Sequence, residues 1–113
     1  MADWKQAFDY NLSNMTNLAK GNGGIMKAYG ELTKAAASKG ALDDKTRELI
    51  ALAVAATTRC DGCIAIHTAE AVKAGATRDE LLETLAMAIA LNTGAASIYS
   101  SRILEAYDQF AAK

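Results

Sequence analysis

Apolar positions along this chain recur at three- and four-residue spacing, the period of an α-helix with one buried stripe. Trp4, Ala7, Phe8, Leu12, Met15 and Leu18 form such a series behind Asp3, a residue suited to capping a helix N-terminus. The run Gly21-Asn22-Gly23-Gly24 is expected to end it and to supply the unusual backbone angles of a turn. A second helix should run from about Ile25 to Ser38 and stop at Gly40, and a third from Asp43 or Asp44 to about Thr58. The fourth starts at Cys60 and Cys63 and ends at Gly75. Thr77, with Glu80 three residues later, has capping-box spacing and opens a fifth helix reaching Asn92 or Thr93. Gly94 allows a bend before a sixth, from Ala95 to about Ala111. Strand-like alternation joined by hairpin turns is missing, and no proline interrupts any helix. The expected fold is all-α, about six helices, with the third and fourth as a central antiparallel pair.

Two of these segments are apolar on more than one side. Leu49 to Ala56 leaves no polar stripe, and Leu81 to Leu91 leaves only Glu83 and Thr84. Ala-rich packing within a central hairpin is the plainer explanation. A chain of 113 residues has little interior in which to hide such helices, however, so burial against another copy is expected. That length sets a single domain over residues 1–113, and a hydrophobic content of 51% provides for a packed core. Met15, Met26 and Met87 are read as core fillers, and Trp4, Tyr10, Tyr29, Tyr99 and Tyr107 as packing residues with polar tips. Twelve basic residues face thirteen acidic ones without a block of either sign, so neither nucleic acid nor a membrane surface is expected as a partner. The longest apolar runs fall far short of the ~20 residues of a membrane span. No basic leader precedes an apolar run at the N-terminus, so the expected location is the cytoplasm.

In a reducing compartment the spacing Cys60-Asp61-Gly62-Cys63 suggests a redox pair or half of a metal site. Cysteines three apart in a first helical turn have Cα atoms roughly 5 Å apart, which a disulfide tolerates. The helix N-terminus favours a thiolate on Cys60. Cys63 and His67 are four residues apart and share a helix face. Glu48 lies ten residues before Thr58, and His67 seven after Cys60. In an antiparallel pair these positions are ~15 Å and ~10 Å from the connecting turn, so a Glu48–His67–Cys63 relay is within reach. Zinc would need a carboxylate to complete one histidine and two cysteines, and covalent haem would need histidine where Ile64 stands, so no metal or cofactor is expected. A thioredoxin-type site would follow a strand, whereas the segment before Cys60 reads as helix.

Glu48 and Cys60-x-x-Cys63-x-x-x-His67, set in Glu48-Leu-Ile-Ala-Leu-Ala-Val-Ala and followed by Ala69, Ala71 and Gly75, resemble the AhpD-like alkylhydroperoxidases of the carboxymuconolactone decarboxylase family. The similarity runs from about Tyr29 to Phe110, and Gly62 stands where some of those proteins carry a further histidine. The resemblance implies a helical protomer assembled as a hexamer or a trimer that reduces small organic hydroperoxides. It implies Cys63 as the peroxidatic cysteine, Cys60 as the resolving one, and Glu48 and His67 as the proton relay, with a thiol or dihydrolipoyl-type reductant restoring the pair. Against this order, the first cysteine of such a motif lies nearer the helix end and is usually the more acidic. Two further functions stay open: lactone decarboxylation through His67, which has no use for the cysteines, and general thiol–disulfide exchange. A non-catalytic assembly module is the third class.

Overall fold

The computed structural model describes residues 2–38 and 40–112. They form six helices: α1 (Trp4–Gly21), α2 (Gly23–Ala36), α3 (Asp44–Thr58), α4 (Asp61–Lys73), α5 (Arg78–Leu91) and α6 (Thr93–Ala111). There is no strand among the described residues.

Three of the starts are fixed by local side-chain caps. Asp3 accepts from the Gln6 N–H at 3.0 Å, and Asp43 from the Thr46 N–H at 2.8 Å. At α5 the Thr77 hydroxyl accepts from the Glu80 N–H at 3.1 Å while the Glu80 carboxylate accepts from the Thr77 N–H at 2.9 Å, a complete capping box. Each satisfies backbone donors that the first turn leaves unpaired.

Two boundaries differ from expectation. The glycine run after α1 is not a turn: Gly21 ends α1 and Gly23 and Gly24 belong to α2, so the break is Asn22 alone, at φ −144° and ψ 73°. Asn92 breaks α5 from α6 in the same way, at φ −150° and ψ 63°, which leaves Gly94 inside α6. Each asparagine donates its N–H back to the preceding helix, to Leu18 at 2.8 Å and to Ala88 at 3.0 Å, and each carbonyl accepts from the next. Asparagine leaves helical geometry at little cost, so one residue is enough to redirect the chain. Only Gly75, at φ +86°, uses glycine's left-handed freedom among the described residues.

The core is formed by Leu52, Ile64, Leu81, Leu85 and Ile103 with alanines between them, and Trp4 closes one end at 1% exposure. α3 packs on α4, α5 and α6, while α4 packs on α1, α3 and α6. α2 touches α1 alone and buries no residue. The expected core role of Met87 is not realised, since it is 63% exposed. Tyr10 and Tyr29 also lie on the surface, whereas Tyr107 is half-buried and donates its hydroxyl to the Ala76 carbonyl at 2.9 Å. The all-round apolar helices leave Ile50 and Val54 of α3, and Leu82 and Leu91 of α5, uncovered in the single chain. No helix among the described residues is long and apolar enough to cross a membrane.

Candidate active site

The turn between α3 and α4 shapes the site. Arg59 takes the left-handed conformation at φ 58°, ψ 45°, and its N–H and that of Cys60 both return to the Ala55 carbonyl. This Schellman-type closure reverses the chain within two residues. Cys60 is then extended (φ −100°, ψ 96°) and becomes the N-cap of α4, its Sγ accepting from the Cys63 N–H at 3.2 Å. A sulfur stands where a serine or aspartate oxygen would commonly sit.

Cys60 and Cys63 form a disulfide with Cα atoms 5.2 Å apart, as the spacing led one to expect. Cys63 is half-buried and packs against the core, while Cys60 is half-buried at the helix end. One turn beyond Cys63, on the same face of α4, is His67. Its Nδ1 lies 2.7 Å from Glu48 Oε2 of α3. The levels inferred from helical rise therefore hold, and α3 and α4 bring the carboxylate and the imidazole together. A carboxylate only accepts, so Nδ1 carries the proton, and Nε2 is left to take or give one. The Glu48 hydrogen bond raises the His67 pKa above its ordinary 6.5; partial burial opposes this, and the charges of Glu48 and Glu70 add to it.

Three further residues touch the motif. Asn11 of α1 lies against Gly62: a Cβ built there would come 3.1 Å from Asn11 Oδ1. That close approach is a reason for glycine inside the motif beyond leaving the two sulfurs clear. Arg102 of α6 donates Nη2 to Asp61 Oδ2 at 3.0 Å. Arg59 supplies the left-handed turn. No local pattern marks any of the three, because each acquires its role from the packing of distant helices or from a backbone angle its side chain does not favour.

An all-helical chain with a cysteine pair at a helix N-terminus and a carboxylate-held histidine one turn on defines a class of helical CxxC proteins. The family model for the carboxymuconolactone decarboxylase family matches residues 23–106, and the chain belongs to that family. It is 53% identical over 105 residues to an uncharacterized protein of Haemophilus influenzae, covering 93% of each chain. It is 39% identical over 83 residues to an uncharacterized protein of Cupriavidus necator, covering 74% of each. A crystal structure of a carboxymuconolactone decarboxylase family protein from Legionella pneumophila superposes with a TM-score of 0.91 at 38% identity over 96% of both chains.

Proposed function

We propose that the chain is a cytoplasmic thiol peroxidase that reduces small organic hydroperoxides through Cys60 and Cys63. The observation that carries this reading is the Glu48–His67 hydrogen bond, one helical turn from Cys63. It gives the pair a proton relay that a purely structural disulfide would not need. In the reduced protein the Cys63 thiolate attacks the terminal peroxide oxygen. The O–O bond breaks, Cys63 becomes a sulfenic acid, and the alkoxide leaves as an alcohol with a proton passed through His67 Nε2. The Cys60 thiol then attacks the Cys63 sulfur, forming the S–S bond and releasing water. Two thiols and one hydroperoxide become one disulfide, one alcohol and one water. A thiol or dihydrolipoyl-type reductant returns two electrons and two protons, and the cycle needs no cofactor. The protein works as a homo-oligomer, a hexamer or a trimer. The uncovered Ile50, Val54, Met87 and Leu91 along the α3–α5 groove support assembly; light scattering showing only monomer at micromolar concentration would refute it.

A second reading, thiol–disulfide exchange opened by Cys60, draws on the hydrogen bond that its Sγ accepts from Cys63, since such a bond favours a thiolate there. Single mutants separate the two. Cys60→Ser should react once with hydroperoxide and trap a sulfenic acid on Cys63, whereas Cys63→Ser should be inert. Fast reaction of Cys63→Ser reverses the roles, and full activity of both variants removes thiol chemistry from the protein.

A further inference from the structure

Asp61 lies inside the motif, directly after Cys60 and two residues before Cys63, in the first turn of α4. Its negative charge favours the helix there, at the positive end of the dipole. The same charge opposes a thiolate on the pair, most directly on the adjacent Cys60, because like charges disfavour each other. Arg102 of α6 bears directly on this conflict, donating Nη2 to Asp61 Oδ2 at 3.0 Å. The guanidinium carbon is 5.1 Å from the centroid of the Trp4 ring and 5.5 Å from that of Tyr99, so the long side chain is held between α1 and α6. Trp4 is itself anchored, its Nε1 donating to Glu105 at 2.8 Å. The Arg102 Nε is buried without a hydrogen-bond partner. Yet the pair is open to water, with side chains 36% and 52% exposed, and an ion pair of that kind adds little to stability. An unpaired buried donor costs more than an exposed ion pair returns, so stability alone does not account for the fixed cation.

We propose that Arg102 is a positioning residue of the cysteine pair, holding and neutralising Asp61 so that reduced Cys60 and Cys63 keep their thiolate. The inference rests on the redox reading of the pair. Other groups near the motif are His67 one turn along α4, Glu48 of α3 bonded to it, Arg59 directly before Cys60, and the uncharged Asn11 of α1 against Gly62. Arg102 is the one bonded to the charge lying between the two sulfurs in sequence.

The test uses the full chain, reduced, without peroxide, and reads thiolate by its ultraviolet absorbance and by the rate of thiol alkylation at neutral pH. Arg102→Met keeps an apolar stem between the two rings and removes the charge. Its thiolate fraction should fall roughly three- to tenfold, the size expected for one unit charge at short range in a partly solvated site. Adding Asp61→Asn should restore it, and Asp61→Asn alone should raise it above the parent. An unchanged thiolate fraction in Arg102→Met overturns the proposal, as does a loss that Asp61→Asn fails to rescue, which would mark a packing role. If Arg102→Met does not fold, as read by its helical circular dichroism, the exposed Asp61→Asn variant decides alone: no rise overturns it. A protein inert to hydroperoxide that still shows these thiol shifts refutes the peroxidase reading and leaves this one standing.

Discussion

α3 and α4 are joined through Arg59 and Cys60, α1 and α2 through Asn22 alone, and all four helices carry apolar residues at helical spacing. In the first pair those residues meet partners on several sides: Leu52, Ala55, Ala56, Ile64, Ala65 and Ala71 are buried. In the second pair only Trp4 is buried, and Ile25, Tyr29 and Leu32 of α2 face outward. Hydrophobic composition thus does not decide which helix is interior. What decides is how many neighbours the topology provides, and α4 has three while α2 has one. The candidate site follows the same division. Cys63, His67 and Glu48 sit on the pair whose side chains are held from several directions, as the proposed proton relay requires.

The largest expected effect attacks that contrast in stability. Leu52→Ala, at a fully buried position on α3, should cost about 3 kcal/mol in denaturant unfolding through lost burial and the cavity left behind. Leu32→Ala on α2, at 70% exposure, should stay within about 0.5 kcal/mol. A Leu32→Ala loss that matches Leu52→Ala and grows with protein concentration would break the contrast and assign the outer face of α2 to an interface between copies.

The helix starts and the Glu48–His67 pairing were legible in the sequence, and the exceptions have separate causes. Asp3, Asp43 and the Thr77/Glu80 box are local signals, so the helix starts follow from the residues alone. Glu48 and His67 could be matched because helical rise is constant along two helices joined by a short turn. The outward position of Met87 was missed although Glu83 lies one turn before it on the same face of α5, because a methionine in an otherwise apolar run reads as core. The contact of Arg102 with Asp61, 41 residues apart, was not legible, since only the docking of α6 on α4 creates it. The glycine run misled because asparagine, the less obvious breaker, made the bend.

The two acid–base pairs extend the comparison to function. Glu48–His67 joins α3 to α4 at 2.7 Å, while Lys27–Glu31 spans one turn of α2 at 4.0 Å with both side chains largely in solvent. Glu48→Gln should slow the first reaction with hydroperoxide by ~10²-fold or more, the usual size of a compromised general base. Glu31→Gln should leave that rate unchanged. The raised His67 pKa also fixes a pH signature. A group whose pKa is higher folded than unfolded adds stability that is fully present below its ordinary 6.5 and is lost as pH rises through the raised value. The stability gap between the parent disulfide form and Glu48→Gln should therefore be widest on the acid side of 6.5 and close as pH rises through the raised value. A gap that widens with rising pH would contradict the pairing.

The smallest effect concerns the turn that separates the two environments. α3 and α4 end in the same closure, with the Cys60 N–H returning to Ala55 at 3.3 Å and the Ala76 N–H to Ala71 at 2.9 Å. The left-handed position is Gly75 in one case and Arg59 in the other. Nothing lies within 4 Å of a Cβ placed on Gly75, so Gly75→Ala should cost about 1 kcal/mol from the backbone alone. At Arg59 the same backbone penalty is already present, directly before the residue that caps α4. Arg59→Gly should recover it, less the extra freedom that glycine gives the unfolded chain, for a net gain of about 0.5 kcal/mol in denaturant melts. If the arginine serves only to make this turn, peroxide kinetics in Arg59→Gly should match the parent. A variant that gains stability yet loses rate would show that the Arg59 side chain, standing beside Cys60 on the surface, contributes charge to the thiol pair as well as shape to the chain.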